Sequence, residues 1–522
     1  MSNSKKNKNQ TKLRPYAVMC TDLYLLWILM VYPLYYADGY FHLPEKKATF
    51  WCVSTIIYLG VTLFGVVIAA FSDREQWTLE NIRKNISMTD IFMFGFLISN
   101  LIAFALSEDK VNAWTGASSR YYGAKVLILV CLVYFVVSRY AWINKIFIWA
   151  FLIGGNVVCL LATLDYFWYD VLGINQQMVE WDWMNFISTM GNVNTCASYV
   201  CMSVSASLVY FCIATNIKDK IISAISLMNC TVALVTSRSD SPFVGVAVVI
   251  VVLGIFSIMK VLDVKKYILM LGVVDLTFVL FFGIRHIFRG RLRYTWWESG
   301  IPAILNQPKM LFIALGIIVL IYILLTVNEK KKIIISKEIK VIGLVVCTVL
   351  CVCVMIWGMN KFEIESAFVE ALQGNRKENV AGSRRYTYDM VLKTYLQLPL
   401  WNKLFGCGQG ALSRILNFYY GQELNAAGIS INSAHNNVLD YLMIGGIAGA
   451  ICYIGIVFSS IKDMLKVTRI DKKVLVIGGC IIGYFAQGIF NIEQTNTTPI
   501  FWLFIALISA MCKQVGNFDK SK

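Results

Sequence analysis

The chain is poor in charged residues, in proline and in histidine. Of its 522 residues, 15% are Asp, Glu, Lys or Arg, eight are proline and three are histidine. An average soluble domain contains about 25% charged residues, so the composition excludes an ordinary water-soluble enzyme. The scarcity of proline and the 14% content of aromatic residues exclude a disordered or low-complexity chain.

Signatures of metal and nucleotide sites are also missing. No HExxH motif, CxxC pair or cluster of His and Cys with ligand spacing occurs, so we predict no metal site and no cofactor. Gly406, Gly408 and Gly410 superficially resemble a nucleotide loop, but no strand–loop–helix unit surrounds them. We interpret them as a tight turn that needs positive φ. The fifteen cysteines lie mostly in apolar stretches, as core residues rather than disulfide partners.

Long apolar runs dominate the sequence, of which 58% is hydrophobic. Runs of about 17 to 25 residues cross a hydrocarbon core as helices. We therefore predict an all-α, polytopic transmembrane protein with about fourteen spans. The predicted spans are approximately 17–37, 49–71, 89–107, 121–138, 145–166, 195–214, 221–237, 242–260, 267–284, 309–327, 341–358, 437–460, 474–491 and 499–513.

Charge in the loops predicts the orientation of these spans. Lys and Arg are more numerous in the loops assigned to the inner side, so we expect both termini to be cytoplasmic. The polar N-terminal segment leads straight into a full-length span, so no cleaved signal peptide is expected. The predicted domains are a cytoplasmic basic tail (1–16), a bundle of eleven spans (17–358), an extracytoplasmic catalytic loop (359–436), spans twelve to fourteen (437–513) and a cytoplasmic tail (514–522).

Polar chemistry is concentrated in the loops predicted to lie outside. The segment 359–436 is far longer than ordinary structureless loops, and its apolar residues recur at helical spacing, so it is predicted to be partly helical. Ionisable residues are scarce within the spans, which argues against a carrier of protons or cations. A second outer loop carries the basic run Arg285–Arg293. Lipid headgroups or anionic lipid-linked substrates suit this run better than nucleic acid.

His435 differs from the other two histidines in its context, and histidine is the commonest general acid–base although it is often structural. This residue ends the long loop immediately before the twelfth predicted span. It could act as an acid–base, cap the helix or anchor at the interface. His42, placed in a short outer loop, and His286, placed in the basic run, are assigned no chemical role.

Several short motifs follow one another along the chain. In order they are Ser107 through Gly116 to Arg120, Gly191-Asn192-Val193-Asn194, Thr236-Ser237-Arg238-Ser239, Gly382-Ser383-Arg384 with Tyr388 four residues later, Pro399 followed by Gly406, Gly408 and Gly410, and His435-Asn436-Asn437-Val438-Leu439 followed by Gly446 and Gly449. Together they resemble the motifs of the O-antigen ligase and polymerase superfamily of bacterial surface-polysaccharide enzymes. The resemblance covers roughly residues 90–510. The sequence departs from the family's pattern in three places. Tyr388 stands where the family usually has Trp, and Ile444 stands where an acidic residue is frequent. The two predicted spans 267–284 and 309–327 are additional to the usual dozen.

The resemblance implies a metal-independent membrane glycosyltransferase, similar to the GT-C class, in a bacterial cytoplasmic membrane. It implies an undecaprenyl-diphosphate-linked glycan as donor and a glycan or lipid-linked acceptor, and it leaves polymerase and ligase both open. Arg238 and Arg384 would grip the diphosphate, with Arg385 as an alternative to Arg384. His435 would take the proton of the attacking hydroxyl. The supporting motif residues are Asn436, Gly408, Gly410, Asn192 and Asn194.

Alternatives remain at each level of this interpretation. Arg238 could instead pair with Asp240 at a span end, and Asp389 or Glu423 are the next candidates for the base. The alternative function is a polysaccharide flippase or another multi-span transporter. A flippase should show two related halves and charge in a central cavity, and the sequence shows neither.

Overall fold

The computed structural model describes residues 14–72, 86–116, 120–173, 178–179, 183, 185–293, 307–331, 384–426 and 428–519. Regular structure in these residues is almost entirely helical, and the predicted all-α class is confirmed. The helices are α1 (Arg14–Leu26, continued by a π-helical turn Trp27–Val31 and by Tyr32–Leu34), α2 (Gly39–Ser72), α3 (Met88–Leu106), α4 (Lys110–Thr115), α5 (Ala124–Tyr140), α6 (Lys145–Tyr166), α7 (Val193–Ile213), α8 (Ile217–Thr236), α9 (Ser241–Ile258), α10 (Val264–Ile287), α11 (Pro308–Lys331), α12 (Arg384–Gln397), α13 (Leu400–Phe405), α14 (Ala411–Ala426), α15 (Asn437–Thr468), α16 (Val474–Gly488) and α17 (Thr498–Asp519). Short strands β1 (Phe186–Ile187) and β2 (Gly191–Asn192) pair antiparallel before α7.

Eleven helices of the described chain are long and apolar enough to cross a membrane. They are Tyr16–Leu34, Gly39–Gly65, Met88–Leu106, Lys145–Tyr166, Val193–Ile213, Ile217–Thr236, Ser241–Ile258, Val264–Ile287, Pro308–Val327, Asn437–Thr468 and Thr498–Val515. Helices α5, with 17 residues, and α16, with 15, occupy two further predicted spans. The predicted span 341–358 lies outside the described residues, so the total of fourteen stays a prediction.

The connection after the first span differs from the prediction. Helix α2 begins at Gly39, ten residues before the predicted 49, so His42 lies in a helix and not in a loop. Hydropathy missed this turn of helix because Glu45, Lys46 and Lys47 lower the local average. The Lys47 side chain is nevertheless buried, and its ammonium donates to the carbonyls of Tyr32 at 3.2 Å and Pro33 at 3.0 Å. It thereby satisfies carbonyl groups at the end of the first span.

The chain divides into two compact units, which we describe separately. The first comprises residues 1–154, 386–481 and 488–522, and the second comprises 155–385 and 482–487. In the first unit, α3 packs along α15, and α5 packs along α17. In the second unit, α7 is almost completely buried, and its serines donate to carbonyls four residues earlier in the same helix. Small side chains of this kind allow neighbouring helices to approach closely.

A cluster of charged side chains lies at one end of the first unit. The Asp90 carboxylate, at the start of α3, lies 2.7 Å from Arg139 Nη1 and 2.9 Å from Lys513 Nζ. It also accepts hydrogen bonds from the Tyr134 hydroxyl at 2.9 Å and from the backbone N–H of Ser87 at 2.8 Å. The cluster therefore joins α3 to the ends of α5 and α17. The candidate site lies at the opposite ends of these helices.

Candidate active site

His435 lies in a short segment between α14 and α15, which we call the histidine loop (residues 431–436). Its backbone φ is +52°, a left-handed conformation that non-glycine residues rarely adopt. The His435 N–H donates to Ser433 Oγ at 2.9 Å. The Asp440 carboxylate in turn accepts from Ser433 Oγ and from the backbone N–H of Ala434, both at 2.9 Å. A carboxylate in the first turn of α15 thus fixes the loop in this conformation.

Asn436 is the N-cap of α15. Its Oδ1 accepts hydrogen bonds from the backbone N–H groups of Val438 at 3.0 Å and Leu439 at 3.1 Å. Such a side chain satisfies N–H groups that have no partner within the helix. Asn436 therefore defines where the helix begins, directly after His435.

Arg120 holds the histidine loop from the segment before α5. Its Nη2 donates to Asn432 Oδ1 at 2.6 Å, and its positive charge interacts with the Asp440 carboxylate. Burial lowers the pKa of the guanidinium, whereas Asp440 raises it. The Arg120 carbonyl also accepts from Thr495 Oγ1 at 3.2 Å, which ties the loop before α17 to the same place.

Tyr388 braces the loop from α12. Its hydroxyl lies 3.1 Å from the carbonyl oxygen of His435 and 3.1 Å from that of Ile489. Because it has one proton, the hydroxyl donates to one of these carbonyls at a time. Its hydroxyl links α12 both to the histidine loop and to the segment after α16.

Glu493 is a buried carboxyl that the sequence interpretation missed. It is 7% exposed and lies between α16 and α17. Its Oε1 accepts from Asn437 Nδ2 at 3.1 Å and from the Tyr453 hydroxyl at 3.4 Å, and its Oε2 accepts from the Tyr441 hydroxyl. Burial raises the pKa of Glu493 to about 8, and the tyrosine hydrogen bonds oppose that rise. The sequence signal that could have identified Glu493 is that it is the one charged residue in the stretch 491–498.

A chain of hydrogen bonds continues from this carboxyl into the helices. The Tyr441 hydroxyl lies 3.2 Å from that of Tyr122, which accepts from Trp502 Nε1 at 2.8 Å. Asn437 follows His435 and Asn436 directly. These hydrogen bonds therefore connect α17 and the segment before α5 to the beginning of α15.

Glycines of the sequence motifs bring two segments of backbone into contact. Gly406, Gly408 and Gly410 have φ values of +81°, +87° and +72°, which confirms the predicted turn. The N–H of Gly408 donates to the carbonyl of Ile444 at 3.1 Å, where α15 is interrupted by Gly446 at φ +64°. A Cβ on Gly406 would lie 2.0 Å from the Ile444 oxygen, and one on Gly446 would lie 2.4 Å from the Leu404 carbonyl. Only glycine permits this contact.

Two other motifs meet in the second unit. Arg238 follows α8 with φ +53°, and the hydroxyl of its neighbour Ser239 donates to Asn194 Oδ1 at 3.1 Å. Asn192 is the N-cap of α7 and accepts from the Asn194 N–H at 2.9 Å. The Asn192–Asn194 motif therefore supports the segment that carries Arg238, a contact that sequence spacing alone does not reveal.

The remaining predicted residues have plainer surroundings. Arg384, in the second unit, begins α12 with a half-buried side chain, and the side chain of Arg385 lies outside the described residues. Asp389 is exposed and pairs with Lys393 at 2.5 Å. Glu423 is exposed and accepts from the Tyr386 hydroxyl at 2.7 Å. In the described ranges, no group of three or more His, Cys, Asp or Glu side chains could hold a metal ion.

Comparison with known families gives a match to part of the chain. Residues 299–454 match the family described as O-antigen ligase, which confirms the resemblance seen in the motifs. The match contains His435, Arg384 and the glycines of the turn, whereas Arg238 and the Asn192–Asn194 motif lie outside it. A search of curated proteins gives no match. The match and the apolar helices together indicate a multi-pass membrane enzyme of glycan processing.

Proposed function

We propose that the protein transfers a glycan from an undecaprenyl-diphosphate-linked donor to a hydroxyl of a glycan or lipid-linked acceptor, at the outer face of a bacterial cytoplasmic membrane. One observation carries the proposal. Within the family-matched segment, His435 is held in a left-handed conformation by Asp440, by Tyr388 and, through Asn432, by Arg120. A strained residue that several elements fix together is typical of active sites.

In the proposed reaction His435 is the general base. The acceptor oxygen attacks the anomeric carbon, the bond from that carbon to the diphosphate oxygen breaks, and the lipid diphosphate leaves with the electron pair. The hydroxyl proton passes to the His435 imidazole and then to solvent. A neutral imidazole near pH 7 suits this role, because its ordinary pKa is about 6.5.

Arg238 and Arg384 bind the diphosphate in this proposal. Negative charge grows on the leaving group as the glycosidic bond breaks, and each guanidinium can hold two phosphate oxygens at once. The left-handed backbone of Arg238, anchored through Ser239 and Asn194, supports a fixed position for its side chain. No step of the reaction uses a metal ion.

A transfer assay with reconstituted protein and a lipid-linked donor tests the base. His435→Ala should lower the rate of transfer about 10²-fold or more while the protein still inserts and folds. His42→Ala is the matched control, since His42 is an exposed histidine of α2 and should transfer at the wild-type rate. Wild-type transfer by His435→Ala would remove this residue from the mechanism. Movement of the lipid-linked glycan across the membrane without a new glycosidic bond would support a flippase instead.

The same assay tests the arginines and the metal-free mechanism. Arg238→Lys and Arg384→Lys keep the charge but lose the planar fork, so each should slow transfer roughly a hundredfold. Arg414→Lys is the control, because Arg414 is an exposed arginine that pairs with Glu108. Full activity in both lysine variants would refute the bidentate contact. Activity that EDTA abolishes and Mg²⁺ or Mn²⁺ restores would refute metal independence.

A further inference from the structure

The second unit contains an apolar cavity that the proposed reaction does not use. Its volume is about 410 Å³, within the range of about 300–1,000 Å³ typical of ligand sites. It lies between the ends of α6, α8 and α10, and its lining includes Phe167, Val232 and Phe281. Leu280, Ile284 and Phe288 also line it and are each more than a third exposed, so the cavity opens at the protein surface.

Four arginines lie close in sequence to the cavity-lining residues Ile284 and Phe288: Arg285 in the last turn of α10, and Arg289, Arg291 and Arg293 just after this helix. Arg285 stacks on Phe282, and Arg293 lies over the Trp168 ring, each with its guanidinium carbon 5.5 Å from the ring centroid. Arg289 and Arg291 are exposed. Because these residues come at the end of an apolar span, their charges lie at the depth of lipid headgroups.

Tyr169 joins the cavity to the arginines. Tyr169 is one of the cavity-lining residues, and its hydroxyl accepts a hydrogen bond from Arg291 Nη1 at 2.7 Å. The acidic neighbours are Asp165, which accepts from the Ser188 N–H and faces Arg293, and Asp170. The four arginines and these two aspartates together carry a net positive charge. An apolar cavity thus continues directly into a cationic rim.

We propose that this site binds an anionic glycerophospholipid, with one acyl chain in the cavity and the phosphate at Arg289 and Arg291. Charge complementarity favours an anionic headgroup, and the aromatic and aliphatic lining favours a hydrocarbon chain. The second acyl chain stays in the bilayer, because the cavity opens at the surface. This lipid site is independent of the proposed glycosyl transfer and gives a role to the basic run Arg285–Arg293.

Native mass spectrometry of the full chain tests the headgroup assignment. Dioleoylphosphatidylglycerol should bind roughly tenfold more tightly than dioleoylphosphatidylcholine. The double variant Arg289→Gln and Arg291→Gln should lose this preference. The control variant Lys462→Gln and Arg469→Gln removes two exposed cations of the first unit and should retain it. Equal affinity of the wild type for both lipids, or equal loss in the control, would overturn the proposal.

Two further arms test the chain and the class of lipid. Ile284→Trp narrows the opening of the cavity and should weaken the binding of both phospholipids severalfold. Unchanged affinity in this variant would show that no acyl chain enters the cavity, and would overturn the site. Undecaprenyl phosphate is the competitor in the second arm. If undecaprenyl phosphate displaces phosphatidylglycerol when it is present at a lower concentration than phosphatidylglycerol, the site belongs to a polyprenyl lipid and the proposal is overturned.

Discussion

The buried carboxyl of Glu493 should make the stability of the protein depend on pH. Its pKa is about 8 in the folded protein, above the ordinary 4.5, because burial disfavours the charged form. Between these two values the folded state keeps a proton that the unfolded state releases. The free energy of unfolding should therefore fall as the pH rises through this window, by about 1.4 kcal/mol per pH unit from this group. Below pH 4.5 the contribution of Glu493 is fully present.

Glu493→Gln tests this reasoning, since the amide has the shape of the protonated carboxyl and does not titrate. Apparent melting temperatures of wild type and variant in detergent, from pH 6 to pH 9, should diverge as the pH rises, with the variant becoming the more stable. Other titrating groups are common to both proteins and cancel in the difference. Glu423→Gln is the control, because Glu423 also accepts from a tyrosine hydroxyl but is exposed, so its curve should parallel that of the wild type. Parallel curves for Glu493→Gln would refute the raised pKa.

Three further predictions concern the histidine loop, the glycine contact and the orientation. Asp440→Asn weakens the two hydrogen bonds that hold the histidine loop, and a hydrogen bond to a charged group typically contributes about 1.5–3 kcal/mol. We therefore expect kcat to fall while KM changes little. An unchanged kcat would contradict this positioning role. Gly446→Ala should destabilise the protein by about 1–3 kcal/mol in thermal unfolding. Gly60→Ala is the control and should not destabilise it, because a Cβ at Gly60 has open space. Equal melting temperatures of the two variants would contradict the glycine contact. Phe418→Cys on a cysteine-free background should react with an impermeant reagent added outside, since this side chain is 82% exposed; labelling only from the cytoplasm would reverse the orientation.

Sequence patterns located the helices well wherever an apolar run was continuous. The span predicted at 145–166 coincides with Lys145–Tyr166, and that at 89–107 lies one residue from Met88–Leu106. Agreement of this kind is expected, because an apolar segment in lipid must satisfy its backbone within the helix. The beginning of α2 was missed because hydropathy cannot show that Lys47 is buried against backbone carbonyls.

The candidate site was predictable as single residues, but its contacts were not. The motif singled out His435, and the spacing of the glycines predicted their positive φ. The contacts join positions far apart in the chain: Arg120 and Asn432 are 312 residues apart, and Tyr441 and Glu493 are 52 apart. Local periodicity contains no information on such pairs. Glu493 was missed for that reason, since its significance lies in the tyrosines that surround it.

The charged cluster around Asp90 has a consequence for the order of assembly during synthesis. Arg139 follows Asp90 after 49 residues, whereas Lys513 follows it after 423. At roughly 5–20 residues per second, tens of seconds separate the emergence of Asp90 from that of Lys513. During this time α3 and α5 can pair through Asp90 and Arg139, but α17 is not yet present to contribute Lys513. By the time Lys513 emerges, both segments of the second unit (155–385 and 482–487) have been synthesised, whereas the first unit still lacks the end of α17.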